Sequence, residues 1–262
     1  MAATATETIS RNAGSMVEIA GNLVPSKFVF TTYHTKALST AAILGEFEAL
    51  SITDIVDTAT TMYYASTDNT NDKAGGTGAF TMKTHGFGDD DAGVPVYKNE
   101  TITLTGTTKI TGSQTFDFIP FYHEVLTAGT GKNPAGDLKI GSSDHTAVYG
   151  VIKDGLNQSS ILLIDLPSNV MGFYEMTFTF QNATTAYDGL YVTHFMDTHA
   201  TNEVAREVKK VHMRGIANLD KQNLTFSGVM KPGLRHRFYG EDIGTTAQTL
   251  DWSITWGFKF ID

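Results

Sequence analysis

The chain has 262 residues, 41% of them hydrophobic and 18% charged, and no cysteine. That length buries a sizeable core without covalent staples, the composition excludes disorder and a charge-rich coiled coil, and the missing cysteine excludes disulfides and thiolate metal sites. Nineteen Lys and Arg against 28 Asp and Glu leave a formal charge of -9, which repels a phosphate backbone, so nucleic acid is not an expected partner.

Residues 1–24 are polar and Thr-rich apart from Met16 to Ala20, and they read as an N-terminal arm that reaches a neighbouring subunit. No basic stretch followed by an apolar one opens the chain, so no secretory signal is expected. No apolar run is long enough to span a bilayer as a helix, so no membrane partner is expected. Residues 25–262 read as one β-sandwich domain, jelly-roll-like, with at most one or two short helices.

Short strands are expected at Phe28 to Thr32, Phe80 to His85, Glu100 to Thr105, Phe116 to Val125, Ala147 to Ile152 and Ser160 to Asp165. Then Tyr174, Met176, Phe178 and Phe180 alternate with Glu175, Thr177 and Thr179, the period of a half-buried strand. Leu190 to Phe195, Leu224 to Val229 and Leu234 to Tyr239 follow. The clearest alternation is last, Leu250, Trp252, Ile254, Trp256, Phe258 and Phe260 against Asp251, Ser253, Thr255, Gly257 and Lys259. Gly, Asn and Asp punctuate these runs, as in Asp154-Gly155 and Lys231-Pro232-Gly233, which indicates an antiparallel sandwich rather than βα units. Two places read as helix: Leu38 to Leu50, a short helix or an extended arm, and Val204, Val208 and Val211, spaced i, i+4, i+7 after Asn202. Val211 to Met213 equally opens a strand.

Ala65 to Ala79, with Asn71-Asp72 ahead of Gly75-Gly76-Thr77-Gly78, offers side-chain acceptors for turn N–H groups and positions free to take positive φ. It is followed by Gly86-Phe87-Gly88, Glu100 to Thr108, Val125 to Gly131 and Ala135 to Ile140, and near the end by Lys231-Pro232-Gly233 and Gly240 to Ile243. In that order these segments resemble virion-associated structural proteins of tailed, mostly marine bacteriophages, with relatives in large algal viruses. The resemblance runs from about residue 50 to the C-terminus; Phe116 to Tyr122 and Thr198 to Arg214 depart from it. It implies a structural β-sandwich without known catalytic residues.

Chemical motifs were weighed beside it. Gly129-Thr130-Gly131-Lys132 lacks the Ser or Thr and the upstream Gly of a phosphate loop, and His123-Glu124 has Thr127 where a zinc protease needs His. His194, Asp197 and His199, with His212 beyond, are candidate metal ligands, the other reading being local hydrogen bonding or an interface. Asp89-Asp90-Asp91 and the loop from Asp68 to Asp72 supply oxygens without the spacing of a dedicated calcium site. No cofactor is expected and no catalytic residue is assigned.

Basic residues Arg206, Lys209, Lys210 and Arg214, and then Arg235 and Arg237, are candidates to meet acidic patches on neighbours. In the aromatic pairs one ring points outward, and Tyr64, Tyr122 and Tyr239 are the candidate anchors. The expected role is a non-enzymatic virion protein, made in the host cytoplasm and assembled as a homo-oligomer, expected to be a trimer, on the capsid shell or as a decoration or tail protein. Its partners are copies of itself and other capsid or tail proteins. The alternative is a receptor- or carbohydrate-binding adhesion module, with a host surface glycan as partner; a depolymerase is a third reading.

Overall fold

The structure, a computed structural model, describes residues 29–38, 42–43, 59–159, 163–181, 190–198, 206–213, 221–242 and 248–261. The arm proposed at 1–24 and most of 38–50 lie outside the described residues. The chain forms two compact units, Met1–Leu44 with Ser168–Asp262, and Gly45–Pro167, where the sequence reading drew one domain over 25–262. All regular structure among the described residues is strand.

The strands are β1 (Val29–Leu38), β2 (Ala42–Ile43), β3 (Thr60–Ser66), β4 (Ala79–Asp89), β5 (Pro95–Thr103), β6 (Ile110–Phe116), β7 (Tyr122–Ala128) and β8 (Leu138–Gly141). They continue as β9 (Val148–Ile152), β10 (Leu163–Asp165), β11 (Val170–Gln181), β12 (Leu190–Asp197), β13 (Arg206–Met213), β14 (Lys221–Met230), β15 (Arg235–Asp242) and β16 (Gln248–Phe260).

In the first unit, one antiparallel sheet runs β1-β16-β11-β14. Its register sets Tyr174 opposite Trp256, Met176 opposite Ile254 and Phe178 opposite Trp252, with Met176 also opposite Phe226. Because side chains alternate across a strand, these pairs share one face. All are buried, whereas Glu175, Thr177, Thr179 and Thr255 on the other face are only partly so. The buried face meets the strands β15, β12 and β13 of a second sheet, with β2 paired to β15 at Tyr239 and Gly240. Tyr174 packs edge-on against Phe238 at 4.9 Å, so the two sheets form a sandwich.

The second unit stacks the sheet β6-β3-β8-β9 with the sheet β5-β4-β7. Met62, Tyr64, Met82, Ile102, Phe116, Leu138, Ile140 and Ile152 fill its core. Burying side chains of this size contributes about 1.5–3 kcal/mol each relative to exposure.

Two expectations are corrected. The segment around Val208 and Val211 is strand β13, not helix: Val211 faces Val192 and Lys209 faces His194 across a ladder with β12. Helical spacing of three valines is outweighed by a paired neighbour, because β-branched side chains suit a pleated surface. The single strand expected over Phe116 to Val125 is two strands, with Pro120 between them. Proline cannot continue the ladder, and the connection hangs instead on hydrogen bonds from Asp117 N to Phe87 O (3.2 Å) and Phe121 N to His85 O (3.0 Å).

Candidate functional site

Two of the segments that carry the resemblance, Ala65 to Ala79 and Ala135 to Ile140, meet at one buried carboxylate. Asp72 Oδ1 accepts the backbone N–H of Ala79 (2.8 Å) and of Ala135 (2.9 Å), and Oδ2 accepts Gly136 N–H (3.0 Å) and the Ser66 hydroxyl (2.5 Å). Its own carbonyl accepts Gly106 N–H at 2.9 Å. Around it Gly78 N–H reaches Asn71 O, Gly129 N–H reaches Gly78 O and Gly131 N–H reaches Thr77 O. A Cβ at Gly78 would collide with Asp72 Oδ1, which is why the motif needs glycine there. Gly75 and Gly106 take φ of 84° and 77°, the left-handed region where glycine carries no Cβ penalty. The loop from Ser66 to Ala79 and the Ala135-Gly136 segment are thus stitched together by one side chain, with Gly106 added by its carbonyl.

This geometry leaves the loop oxygens engaged. Asp68 Oδ1 accepts Thr70 N–H and Asn71 N–H, and Asn71 Nδ2 donates to Oδ2. Those bonds hold the Asp68 carboxyl below its ordinary range. Asp90 Oδ1 likewise accepts Ala92 N–H and Val94 N–H. The N–H groups of Gly131 and Lys132 turn to Thr77 and Gly129 carbonyls. Among the described residues no group of three or more His, Asp or Glu is placed to hold a metal ion.

The three metal candidates do not come together. His194 is buried between Tyr174 and His236, Asp197 faces arginines, and His199 lies outside the described residues. Arg235 stands directly opposite Asp197 across the β12–β15 ladder, and Arg237 is its diagonal neighbour, donating to Asp197 Oδ2. Both arginines are buried, at 1% and 6% exposure, so they are internal ties rather than an outward basic patch. A buried guanidinium requires a paired carboxylate, and nothing local in the sequence links Asp197 to a strand some forty residues on.

The aromatic anchors are also corrected. Tyr64 is fully buried and donates to Glu100 Oε1 at 2.7 Å; burial, then Glu100, pushes its phenol pKa up. Tyr122 is buried and donates to Gln158 Oε1 at 2.9 Å. Tyr239 is half-buried with its ring edge-on to Phe195 at 5.3 Å. Arg206 and Lys210 lie on β13, and Arg214 lies outside the described residues. Lys209 is exposed, with its ammonium on Ser227 O at 3.0 Å and over the Phe226 ring at 4.8 Å. It ties the end strand of one sheet, β13, to the end strand of the other, β14. On those same strands Val208 and Val229 are 42% and 37% exposed.

Three histidine-centred arrays are not legible in the sequence, although His123 and His194 stand out there singly. On the outer face of the β5-β4-β7 sheet, His85 Nδ1 contacts Tyr97 Oη at 2.5 Å and Nε2 contacts Glu124 Oε1 at 3.0 Å. The His85 contact holds the Glu124 carboxyl below its usual range, and burial pushes Tyr97 up to about 12. On the inner face His123 is fully buried, with Nδ1 on Thr84 Oγ1 at 2.9 Å and its ring against Gly150. Burial, then His85, lowers it to about 3. In the first unit, Tyr174 Oη, His194 and His236 are joined at 3.0 Å and 2.9 Å, and His236 Nε2 ends on Lys231 O at 3.0 Å.

No protein-family model and no curated protein matches the chain. Among solved structures, the infectious bursal disease virus Gt strain is 9% identical with a TM-score of 0.26, over 88% of this chain and 72% of that one. The infectious bursal disease virus VP2 subviral particle is 7% identical with a TM-score of 0.22, over 89% and 76%. The Arthrobacter globiformis T6 isomalto-dextranase complexed with panose is 12% identical with a TM-score of 0.26, over 86% of this chain but 34% of that one. Scores this low carry no argument about fold or function.

Proposed function

We propose that the chain is a non-enzymatic structural protein of a bacteriophage particle, which assembles as a homo-oligomer on the capsid or tail through contacts between its sheet edges. One observation carries the reading: two of the segments that resemble virion-associated proteins, Ala65 to Ala79 and Ala135 to Ile140, are bound together by the Asp72 side chain, and its carbonyl takes in Gly106 of a third, so this part of the resemblance lies in a scaffold rather than in a reactive centre. Val208 and Val229, on two neighbouring end strands, supply apolar area for a sister copy to cover. Sedimentation of the full chain is expected to give a multiple of 28.4 kDa, three by expectation, and Val208→Asp with Val229→Asp to dissociate it. A 28.4 kDa monomer at every concentration, absent from purified particles, overturns the proposal.

A second reading, a carbohydrate-binding adhesion module, is favoured by the outer face of the β5-β4-β7 sheet, where half-buried Tyr97 is held in orientation by His85 and Glu124. Glycan-array binding that disappears in Tyr97→Ala moves the assignment to it.

A further inference from the structure

The four ring nitrogens of His194 and His236 all have partners, and the last partner fixes the direction of the chain. Lys231 O is a carbonyl and only accepts, so His236 Nε2 carries a hydrogen and donates to it. A neutral His236 then offers Nδ1 as an acceptor, which requires His194 Nε2 to donate. His194 Nδ1 is left as the acceptor for the Tyr174 hydroxyl. Three contacts are therefore served by three hydrogens, all pointing the same way. The elements joined are β11 in one sheet and β12 and β15 in the other, so the relay crosses the sandwich.

The surroundings are built for this arrangement. The Tyr174 ring passes over Gly228 on β14, where an added Cβ would lie 2.5 Å from its hydroxyl oxygen. Tyr174 also packs on Phe226 and Phe238, and the His194 ring stacks on Phe238 at 4.7 Å and 12°.

We propose that Tyr174, His194 and His236 form an acid-sensitive latch between the two sheets of this unit. A proton added to either imidazole puts four hydrogens on three contacts. It is accommodated only if the Tyr174–His194 contact turns round, so that His194 Nδ1–H donates to the Tyr174 oxygen, which strips the hydroxyl hydrogen of its acceptor, and a positive charge is then held beside the Phe238 and Tyr174 rings. An orphaned buried donor and an uncompensated buried charge both disfavour the closed sandwich. The charged groups nearby add to this. The Lys209 ammonium on β13 repels a cationic His194, and Arg235 and Arg237, which flank His236 along β15, are engaged by Asp197 on β12. Burial, then His236 and Lys209, holds His194 down to about 3, so His194 is neutral at neutral pH. The latch is independent of the virion role: it concerns the response of this unit to acid, whatever assembly carries it.

The chain supplies its own reporter, since its two tryptophans, Trp252 and Trp256, are both buried on β16, and Trp256 is the cross-strand partner of Tyr174. Urea unfolding of the full chain is followed by tryptophan emission at pH 7 and pH 5, in the wild type and in His236→Gln. The Gln side chain accepts from His194 and donates to Lys231 O but takes up no proton. The midpoint of the wild type is expected to fall between the two pH values, and to fall less in His236→Gln, whatever its midpoint at pH 7. An equal fall in both proteins, or no fall in the wild type, overturns the proposal. If His236→Gln does not fold, ring-carbon NMR of histidine-labelled wild type decides. Two rings neutral at pH 7 that titrate together with a red shift in emission support the latch, and rings that titrate with emission unchanged overturn it.

Discussion

Replacing Asp72 with Asn is the sharpest perturbation of the scaffold. The side chain keeps its shape, but one of two acceptor oxygens becomes a donor. If the amide nitrogen took the Oδ1 position it would face the Ala79 and Ala135 N–H groups and orphan both. At the Oδ2 position it faces Gly136 N–H and the Ser66 hydroxyl, and the hydroxyl has a free lone pair even though it already accepts Asp68 N–H. The second arrangement is therefore preferred, and it leaves one buried N–H without an acceptor, at about 1–3 kcal/mol. Losing the stronger carboxylate contacts to Ala79 and Ala135 adds about 1 kcal/mol each. The sum is about 4 kcal/mol, which for a urea m-value of about 2 kcal/mol/M lowers the midpoint by about 2 M. Circular dichroism follows the unfolding, and hydrogen exchange locates it: peptides containing Ala79, Ala135 and Gly136 lose protection first. An unchanged midpoint with those amides still protected refutes the reasoning.

His123 has a folded pKa of about 3, below its ordinary 6.5, so its contribution to stability is complete above about pH 6.5 and is lost as pH falls towards 3. Between pH 7 and pH 5 that loss is about 2 kcal/mol by linkage, and exchange protection around Thr84 and Gly150 should fall with it in the wild type but less in His123→Gln. Met176→Ala empties the buried face of β11 and is expected to destabilise by about 2–5 kcal/mol, read by tryptophan emission in urea. Glu100→Ala leaves the buried Tyr64 hydroxyl and the Ser113 and Gln114 N–H groups without their acceptor, for about 3 kcal/mol or more. It also uncaps the end strand β6, so light scattering should show added aggregation.

What the sequence disclosed is what alternation can disclose. The runs Tyr174 to Phe178 and Trp252 to Phe258 needed no partner to be recognised, because a period of two already states which side faces the core. The sequence leaves β13 open between helix and strand, because Val204, Val208 and Val211 fit a helical spacing while Val211 to Met213 equally opens a strand, and only the pairing with β12 settles the choice. Strands β3 and β8 were passed over, since Tyr63-Tyr64-Ala65 and Leu138-Lys139-Ile140-Gly141 are too short to show a period. The glycine pattern around Asn71-Asp72 was legible as a turn, but its use was not: Asp72 binds Ala135 and Gly136, over sixty residues on. The basic residues show the limit most clearly. Arg235-His236-Arg237 looks like a surface cluster until β15 is placed beside β12, where the same alternation sends His236 to one face and both arginines to Asp197 on the other.

The central claim, a structural place in a virus particle, is tested most directly by electron cryomicroscopy of intact particles from the host that makes this chain. Density into which both sandwich units fit is expected, repeated by symmetry on the shell or tail, with the strands bearing Val208 and Val229 against a neighbouring copy. Maps that account for every virion density without this chain would contradict it.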